Sequence, residues 1–583
     1  MTQANRPVLR QRPRWLPPWL RQYRREQAIQ DGIAGLVVTM LLVPQSLAYA
    51  MLAGLPPHVG MYASILPLLA YAAFGSSMTL AVGPVAVASL MTASALAPFA
   101  AQGSPEYLSL AILLAVLGGL QLMVLGALRL GFVANLLSHP VVSGFVTGSA
   151  LLIAIGQLKP LLGVPAQGHT ALELLWSFLA SFQKLQPATA ALGLLAVLLL
   201  WSSRRFLAKL LAWCGVPSRA ADLIAKLAPM VIVLLSIGAV VVWQLDTTHG
   251  VAVVGTIPQG LPSLHLALPA REQVMTLFLP AFMIALVGFV ESVSVAQSLA
   301  IKRGQRIDPN AELLGLGAGN LASALSGGFP VTGGFARSVV NFAAGAQTPM
   351  AGVISAALMS LVLLGLTGLF ERLPLAVLAA TIIIAVLGLI DLTTPKHAWQ
   401  YDRADALAWA GTALGVLGLG VEAGIGIGVA LSAGTFLWRA SRPHIAVLGR
   451  LAGTEHFRNE QRFEVETQPH LLIIRIDENL FFANSAAVLD RIEAELAQRP
   501  ATRDLLLVLS SVSHIDLTAA EALERLRADL HARGIVLHLA EVKGPVLDRL
   551  KRAGRLRELA HEPFVSVHSA TQALAQHPQL EQL

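Results

Sequence analysis

GGFPVTGGFARSVVN (327–341) follows LFLPAFMIALVGFVESVSVAQSLA (277–300), and the two stretches decide how the chain is read. The second has Glu291 as its sole charge, and the first has only Arg337. An ionisable side chain inside an apolar run of bilayer length is costly to keep, so both residues mark a functional site. The glycines and proline before Arg337 lead into a short helix of small residues. That pattern describes a half-helix whose N-terminus lies near mid-membrane. Such an end carries unpaired backbone N–H groups and a partial positive charge, which suits an anion.

A matching stretch occurs earlier. VPQSLAYA (43–50) laid over VESVSVAQ (290–297) pairs Pro44 with Glu291 and Gln45 with Ser292. VGPVAVAS (82–89) laid over TGGFARSV (332–339) pairs Gly83 with Gly333 and Val87 with Arg337. With an odd number of spans per half, the second half is inverted relative to the first, as in secondary transporters. Two half-helix ends then face one another from opposite sides, and Arg337 adds a full positive charge about one turn into the second. A site of this kind favours a small anion over a cation or a sugar.

The rest of the chain supports a membrane setting. It has 583 residues, 55% of them apolar and 13% charged, with a mean hydropathy of +0.65, which is too little polar surface for a soluble globule of this length. The net charge of +7 sits beside apolar runs and not on a soluble face, so nucleic acid is not the expected partner and a lipid bilayer is. Cys214 is the single cysteine, which excludes an intrachain disulfide, a CxxC site or a thiolate metal cluster.

Residues 1–28 form a basic N-terminal segment with Arg10, Arg12, Arg14, Arg21, Arg24 and Arg25, and by the positive-inside rule they are cytoplasmic. Fourteen apolar runs follow, near 29–53, 60–75, 81–100, 107–128, 134–158, 187–202, 226–245, 274–300, 310–326, 333–346, 350–370, 373–390, 404–420 and 422–438. Alternating from inside, the cytoplasmic loops collect Arg129; Arg204, Arg205, Lys209, Arg219 and Lys226; Lys302, Arg303 and Arg306; Lys396 and Arg403; and Arg439 and Arg442. The outer loops receive only Lys159, Lys184, Arg271 and Arg372. Both termini are therefore expected in the cytoplasm, with a transmembrane domain over 29–438 and a soluble domain over 439–583. In the latter, strands are expected at 465–477, 503–511, 534–542 and 564–567, alternating with helices at 485–498, 518–533, 544–553 and 569–576, a small α/β fold.

Structural readings compete with functional ones at several positions. Glycines in membrane helices serve close packing, and Arg337 also reads as a structural charge paired with Glu291. His139 reads as an interfacial or helix-start residue. AGIGIGVA (423–430) and GLGAGN (315–320) lie in apolar spans with no βαβ pattern after them, so they read as packing glycines and not as a nucleotide fingerprint. No nucleophile with its base, phosphate loop, metal cluster or cofactor motif is visible, so the chain does not read as an enzyme.

VPQSLAYAMLAGLPPHVGMYAS (43–64), NLLSHPVVSGFVTGSA (135–150) and GGFPVTGGFARSVVN (327–341) resemble the SulP/SLC26 anion transporter family, and the C-terminal region looks like its STAS domain. The resemblance implies a polytopic α-helical membrane protein of fourteen spans in two inverted seven-helix repeats, with core and gate domains, a cytoplasmic α/β STAS domain and a homodimer. It also implies transport of sulfate, bicarbonate, chloride or a dicarboxylate across an inner (plasma) membrane. Carried over by motif, Gln45, Gly83, Pro84, Val85 and Ala86 line the substrate site from the first repeat, and Gly333, Gly334, Phe335, Ala336, Arg337 and Ser338 from the second. Glu291, with Ser292 and Ser294, is the expected coupling-ion site. Family members with a plausible sodium site have a hydroxyl one turn after the carboxylate, where this chain has Val295. Sodium needs several oxygen ligands and a proton needs one carboxyl, so proton symport is favoured over sodium-coupled bicarbonate transport. An uncoupled channel or exchanger, and a non-transporting STAS scaffold, are the remaining alternatives.

In HIDLTAAEAL (514–523), Asp516 and Thr518 occupy the turn where related anti-sigma-factor antagonists carry Asp-Ser-Ser-Gly and are phosphorylated. An N-cap is the favoured reading of that turn, a regulatory phosphosite on Thr518 the other. A cytoplasmic protein partner for the STAS domain is a further expectation.

Overall fold

The computed structural model describes residues 17–21, 23–135, 138–165, 168, 170–262, 271–553 and 562–575. It divides into two compact units, Met1–Ser432 and Ala433–Leu583. Residues 1–16 of the basic N-terminal segment, and residue 576 of the last expected helix, lie outside the described residues.

Each of the fourteen apolar runs carries a helix in the first unit or at its boundary. These are α1 (Arg25–Leu52), α2 (Pro57–Tyr62) with α3 (Leu66–Phe74), α4 (Ala86–Leu96), α5 (Pro105–Ala127), α6 (His139–Gly156), α7 (Pro187–Ser202) continuing through α8 (Ala208–Trp213), and α9 (Ser218–Trp243). The second half has α10 (Arg271–Ile301), α11 (Pro309–Leu325), α12 (Phe335–Ala343), α13 (Met350–Gly365), α14 (Leu375–Leu387), α15 (Arg403–Leu419) and α16 (Val421–Ala440). Among the described residues, eight helical spans are long and apolar enough to cross a membrane. The exceptions include α4, with 11 residues, and α12, with 9, about half of what a bilayer requires.

Packing between helices replaces water exclusion as the cohesive force in lipid. Helix α11 packs on α5 and α3, α10 on α5, α13 on α1, α7 on α14 and α15 on α6. Contact is very close where α2 meets α1. A methyl group added at Gly60 would stand 1.8 Å from the Ser46 carbonyl oxygen, so only glycine allows the two backbones to touch.

The second unit is a five-stranded sheet in the order β4-β3-β5-β6-β7. Strands β5 (Leu471–Ile476), β6 (Asp504–Val508) and β7 (Val536–Ala540) are parallel, and β3 (Ile445–Arg450) runs antiparallel to both β4 (Phe457–Asn459) and β5. Alternation along the strands divides the core. Leu472, Ile474, Leu505 and Leu507 face the layer of α17 (Ser485–Ala497), α18 (Leu517–Ala532) and α19 (Gly544–Arg552). Leu471, Ile473, Leu506 and Val508 face α20 (Val567–Ala575). With both faces covered, the strands read as continuous apolar runs.

Three details differ from the sequence reading. Strands β3 and β4 were not expected, because a six- and a three-residue strand give almost no periodic signal. The strand expected over 465–477 is confined to Leu471–Ile476, since Pro469 has no N–H to donate to a ladder. The strand expected over 564–567 is a single bridge at Phe564, and helix α20 begins at Val567.

Gly60→Ala is expected to destabilise the protein by about 1–3 kcal/mol or more, seen as a lower melting temperature and loss of the monodisperse peak in detergent. Gly32→Ala, where an added methyl meets nothing within 4 Å, is the control expected to leave both unchanged.

Candidate functional site

The two repeat-related stretches meet directly. Val82–Gly83 (β1) and Thr332–Gly333 (β2) form an antiparallel pair in which Val82 faces Gly333 and Gly83 faces Thr332. Each residue therefore pairs with the repeat equivalent of its neighbour, which is what a two-fold axis through the pair requires. Ser292 on α10 fixes this pair in place. Its hydroxyl donates to the Gly288 carbonyl at 2.5 Å, lies 2.6 Å from Thr332 Oγ1 and accepts the Gly333 N–H at 2.9 Å. Ser338 does the same on the other side, accepting the Ala81 N–H at 3.0 Å and donating to the Gly334 carbonyl at 2.7 Å.

The half-helices start beyond this pair, at Ala86 and Phe335, because Gly83 and Gly333 are used in the strands. Neither helix has a side-chain cap: the flanking residues are Val85 and Gly334. Their first intrahelical donors are the N–H groups of Ser89 and Ser338. The N–H groups of the first turns are thus the orphan donors of helix termini, and Val85, Ala86 and Val87 line one side of a cavity of about 30 Å3 whose other side is Gly334, Phe335, Ala336 and Arg337.

Arg337 is the third residue of α12, about one turn in as the sequence suggested, and only 2% exposed. Its Nη1 donates to the Pro84 carbonyl at 2.6 Å, while Nε and Nη2 have no hydrogen-bond partner. The space for the guanidinium comes from two glycines. A Cβ at Gly83, where φ is +155°, would lie 3.3 Å from Nη2, and one at Gly334 would lie 3.0 Å from it. Glu291 faces the same cavity, with Oε2 buried and without a hydrogen-bond partner. The two charged groups are not hydrogen-bonded to each other, although each acts on the other electrostatically.

Gln45 and Tyr49, one helical turn apart on α1, complete one wall, and Ala385, Val386 and Leu389 at the end of α14 complete the other. Among the residues named from sequence, Gln45, Val85, Ala86, Glu291, Gly334, Phe335, Ala336 and Arg337 are therefore brought together. Gly83, Pro84, Gly333 and Ser338 are buried behind the cavity wall as its frame. Ser292 has its oxygen committed to the β1–β2 pair, and Ser294 is exposed, its hydroxyl bonded to the Val290 carbonyl at 2.8 Å. Tyr49 was missed, although its spacing from Gln45 puts both on one helix face. Ala385, Val386 and Leu389 carry no signal that distinguishes them from other apolar residues. His139 is the first residue of α6 and borders a separate cavity with His397 and Asp405.

In the second unit, Asp516 caps α18: Oδ1 accepts the Ala519 N–H at 2.8 Å and Oδ2 accepts the Phe482 N–H at 2.8 Å. Thr518 is exposed in the first turn. Asp477 is held below the usual carboxylate range. Burial alone would raise it, but hydrogen bonds from Arg475 and His444 outweigh that effect.

Two half-helices meeting at a two-fold axis beside buried charges define a membrane carrier of the inverted-repeat class. The chain belongs to the sulfate permease family, whose profile matches residues 29–412, and the STAS domain profile matches residues 462–570. It is 35% identical to the chloroplastic sulfate transporter 4.1 of Arabidopsis thaliana, over 97% of this chain and 83% of that protein. It is 34% identical to the high affinity sulfate transporter 2 of Stylosanthes hamata, over 95% of this chain and 85% of that protein. Its fold is similar to that of the murine solute carrier 26 member A9 anion transporter in its inward-facing state, with a TM-score of 0.86 at 24% identity, covering 96% of this chain and 94% of that one. The family is one of anion transporters.

Ser292→Ala leaves the buried Gly333 N–H without its acceptor, at an expected cost of about 1–3 kcal/mol, measured by thermal unfolding in detergent. Ser294→Ala is expected to stay within about 0.5 kcal/mol of the parent protein.

Proposed function

We propose that this protein is a secondary active transporter that moves a small oxyanion together with a proton, the anion binding between the N-termini of α4 and α12. The observation that carries the reading is the shared cavity in which uncapped half-helix ends, Arg337 and Glu291 converge. The matched relatives are named as sulfate transporters, so sulfate is the first substrate to test.

Charge balance links the anion to the proton. Two helix N-termini contribute about half a positive charge each, and Arg337 contributes a full one. Together they match a divalent oxyanion such as sulfate. An ionised Glu291 in the same cavity cancels one of those charges, and a proton on Glu291 restores the match. Binding a dianion therefore favours uptake of one proton, and the two travel as a unit whose charge the site neutralises.

The oxygens near Glu291 favour a proton over sodium. The position one turn on is Val295, which is buried. The Ser292 hydroxyl is already used by Gly288, Thr332 and Gly333, and the Ser294 hydroxyl points to its own helix. A sodium ion would find one carboxylate and too few free oxygens around it.

We further propose that the basic ends of α7 and α8, with Arg204, Arg205 and Lys209, face the cytoplasm, following the positive-inside rule, and that Asp516 orders the STAS domain as a helix cap, with Thr518 free for modification.

In proteoliposomes, radiolabelled sulfate is expected to accumulate above equilibrium when an inward proton gradient is imposed and not when a sodium gradient is. Glu291→Gln is expected to abolish accumulation while retaining downhill exchange. Arg337→Gln is expected to lower both by roughly 10- to 100-fold, as for loss of a hydrogen-bonded charge. Sodium-driven accumulation, or accumulation intact in Glu291→Gln, would contradict proton symport.

A further inference from the structure

We propose that Arg204 is a second anion-contacting residue, a station on the path between the cytoplasmic solution and Arg337. The inference rests on the anion reading of the cavity. Arg204 lies in a five-residue π-helical turn, Ser203–Leu207, between α7 and α8. Such turns cluster at functional sites because the extra residue re-aims a side chain. Here it aims Arg204 at the end of α14. Nη1 donates to the Ile384 carbonyl at 2.6 Å and lies 3.9 Å from where a Cβ at Gly388 would stand. The neighbours of these two residues, Ala385, Val386 and Leu389, form a wall of the cavity.

A simpler role is available. Ile384 is among the last four residues of α14, whose carbonyls lack helical partners, and an arginine there is a common cap. Capping uses one of five guanidinium donors and explains neither the charge nor the surroundings. Among the described residues no carboxylate lies within ion-pair distance of Arg204, and its other donors have no protein partner. Arg204 is exposed, so those donors are open to solvent. The electrostatic partner that it does have is Tyr49, whose hydroxyl is influenced by both Arg204 and Arg337. Tyr49 itself lines the cavity. Arg204 is exposed and Arg337 is buried, and both act electrostatically on Tyr49. An uncompensated cation at a cavity mouth raises the local concentration of an anion and guides its entry. The tether to Ile384 keeps the guanidinium beside the wall instead of out in solution.

Radiolabelled sulfate flux is measured from each side of oriented proteoliposomes, for the parent protein, Arg204→Gln and Arg204→Lys. Arg204→Gln should raise the half-saturating sulfate concentration on the Arg204 side by roughly fivefold or more, as for loss of a partly exposed charge contact. The opposite side should be unchanged, and Arg204→Lys should restore most of the loss. A purely capping role would instead alter flux from both sides together, with no side-specific shift, and that result would overturn the proposal. So would equal behaviour of the Gln and Lys variants. Should Arg204→Gln not reconstitute, Arg204→Cys in a Cys214→Ser background takes its place. Sulfate should slow its labelling by a thiosulfonate reagent, and a cationic reagent should recover affinity where a neutral one does not. Absence of both effects would refute the station. If the parent protein itself moves no sulfate under any gradient, it is the transport reading that fails. If the parent transports and Arg204→Gln matches it, only the role of Arg204 fails.

Discussion

An arginine only 2% exposed is held in the membrane unit with its guanidinium making one hydrogen bond to its own protein, at the Pro84 carbonyl. Burying a charge with so few partners is expensive, and much of the surrounding architecture follows from that constraint. Pro84 belongs to the first repeat and Arg337 to the second, so the charge sits where the halves meet. Glycines at 83 and 334 keep Cβ atoms away from it. The β1–β2 pair, held by Ser292 and Ser338, sets the spacing between the half-helix ends. Removing any of these elements leaves Arg337 without its bed or the helix ends without their register.

The same geometry is the basis of the selectivity proposed for the site. Backbone N–H groups at uncapped helix ends respond to charge and size more than to chemical identity, which fits a family that moves anions. In the proposed mechanism the full charge on Arg337 would set affinity, and the carboxyl of Glu291 in the same cavity would make that affinity depend on whether it carries a proton. On that proposal an anion and a proton would be linked without direct contact, because each would alter the electrostatic cost of the other.

Much of this was legible in the sequence. The fourteen runs, the internal repeat and the two half-helices show as hydropathy, as matched landmarks and as glycines before short small-residue helices. Glu291 and Arg337 stand out because charges are rare at such positions. The helix starts at Ala86 and Phe335 were less visible, since a two-residue strand pair has no periodicity and forms only when segments some 250 residues apart come together. The cavity wall from α14 was hidden for a related reason. Ala385, Val386 and Leu389 differ from other apolar residues only in where the fold puts them. Ser292 was read for its oxygen, but its role came from Gly333 and Thr332, which the sequence does not place beside it. In the STAS domain, long strands flanked by helices were readable, and the short antiparallel edge of β3 and β4 was not.

Selenate is a heavier congener of sulfate and scatters anomalously at the selenium edge. An anomalous difference map of crystals of the protein grown with selenate therefore locates the anion without relying on transport. A single peak within hydrogen-bond reach of the N–H groups at the starts of α4 and α12 and of the Arg337 guanidinium is the expected result, weakened in Arg337→Gln. A peak elsewhere in the membrane unit, under selenate concentrations that saturate uptake, would show that the half-helix ends and Arg337 are structural and that the anion travels by another route.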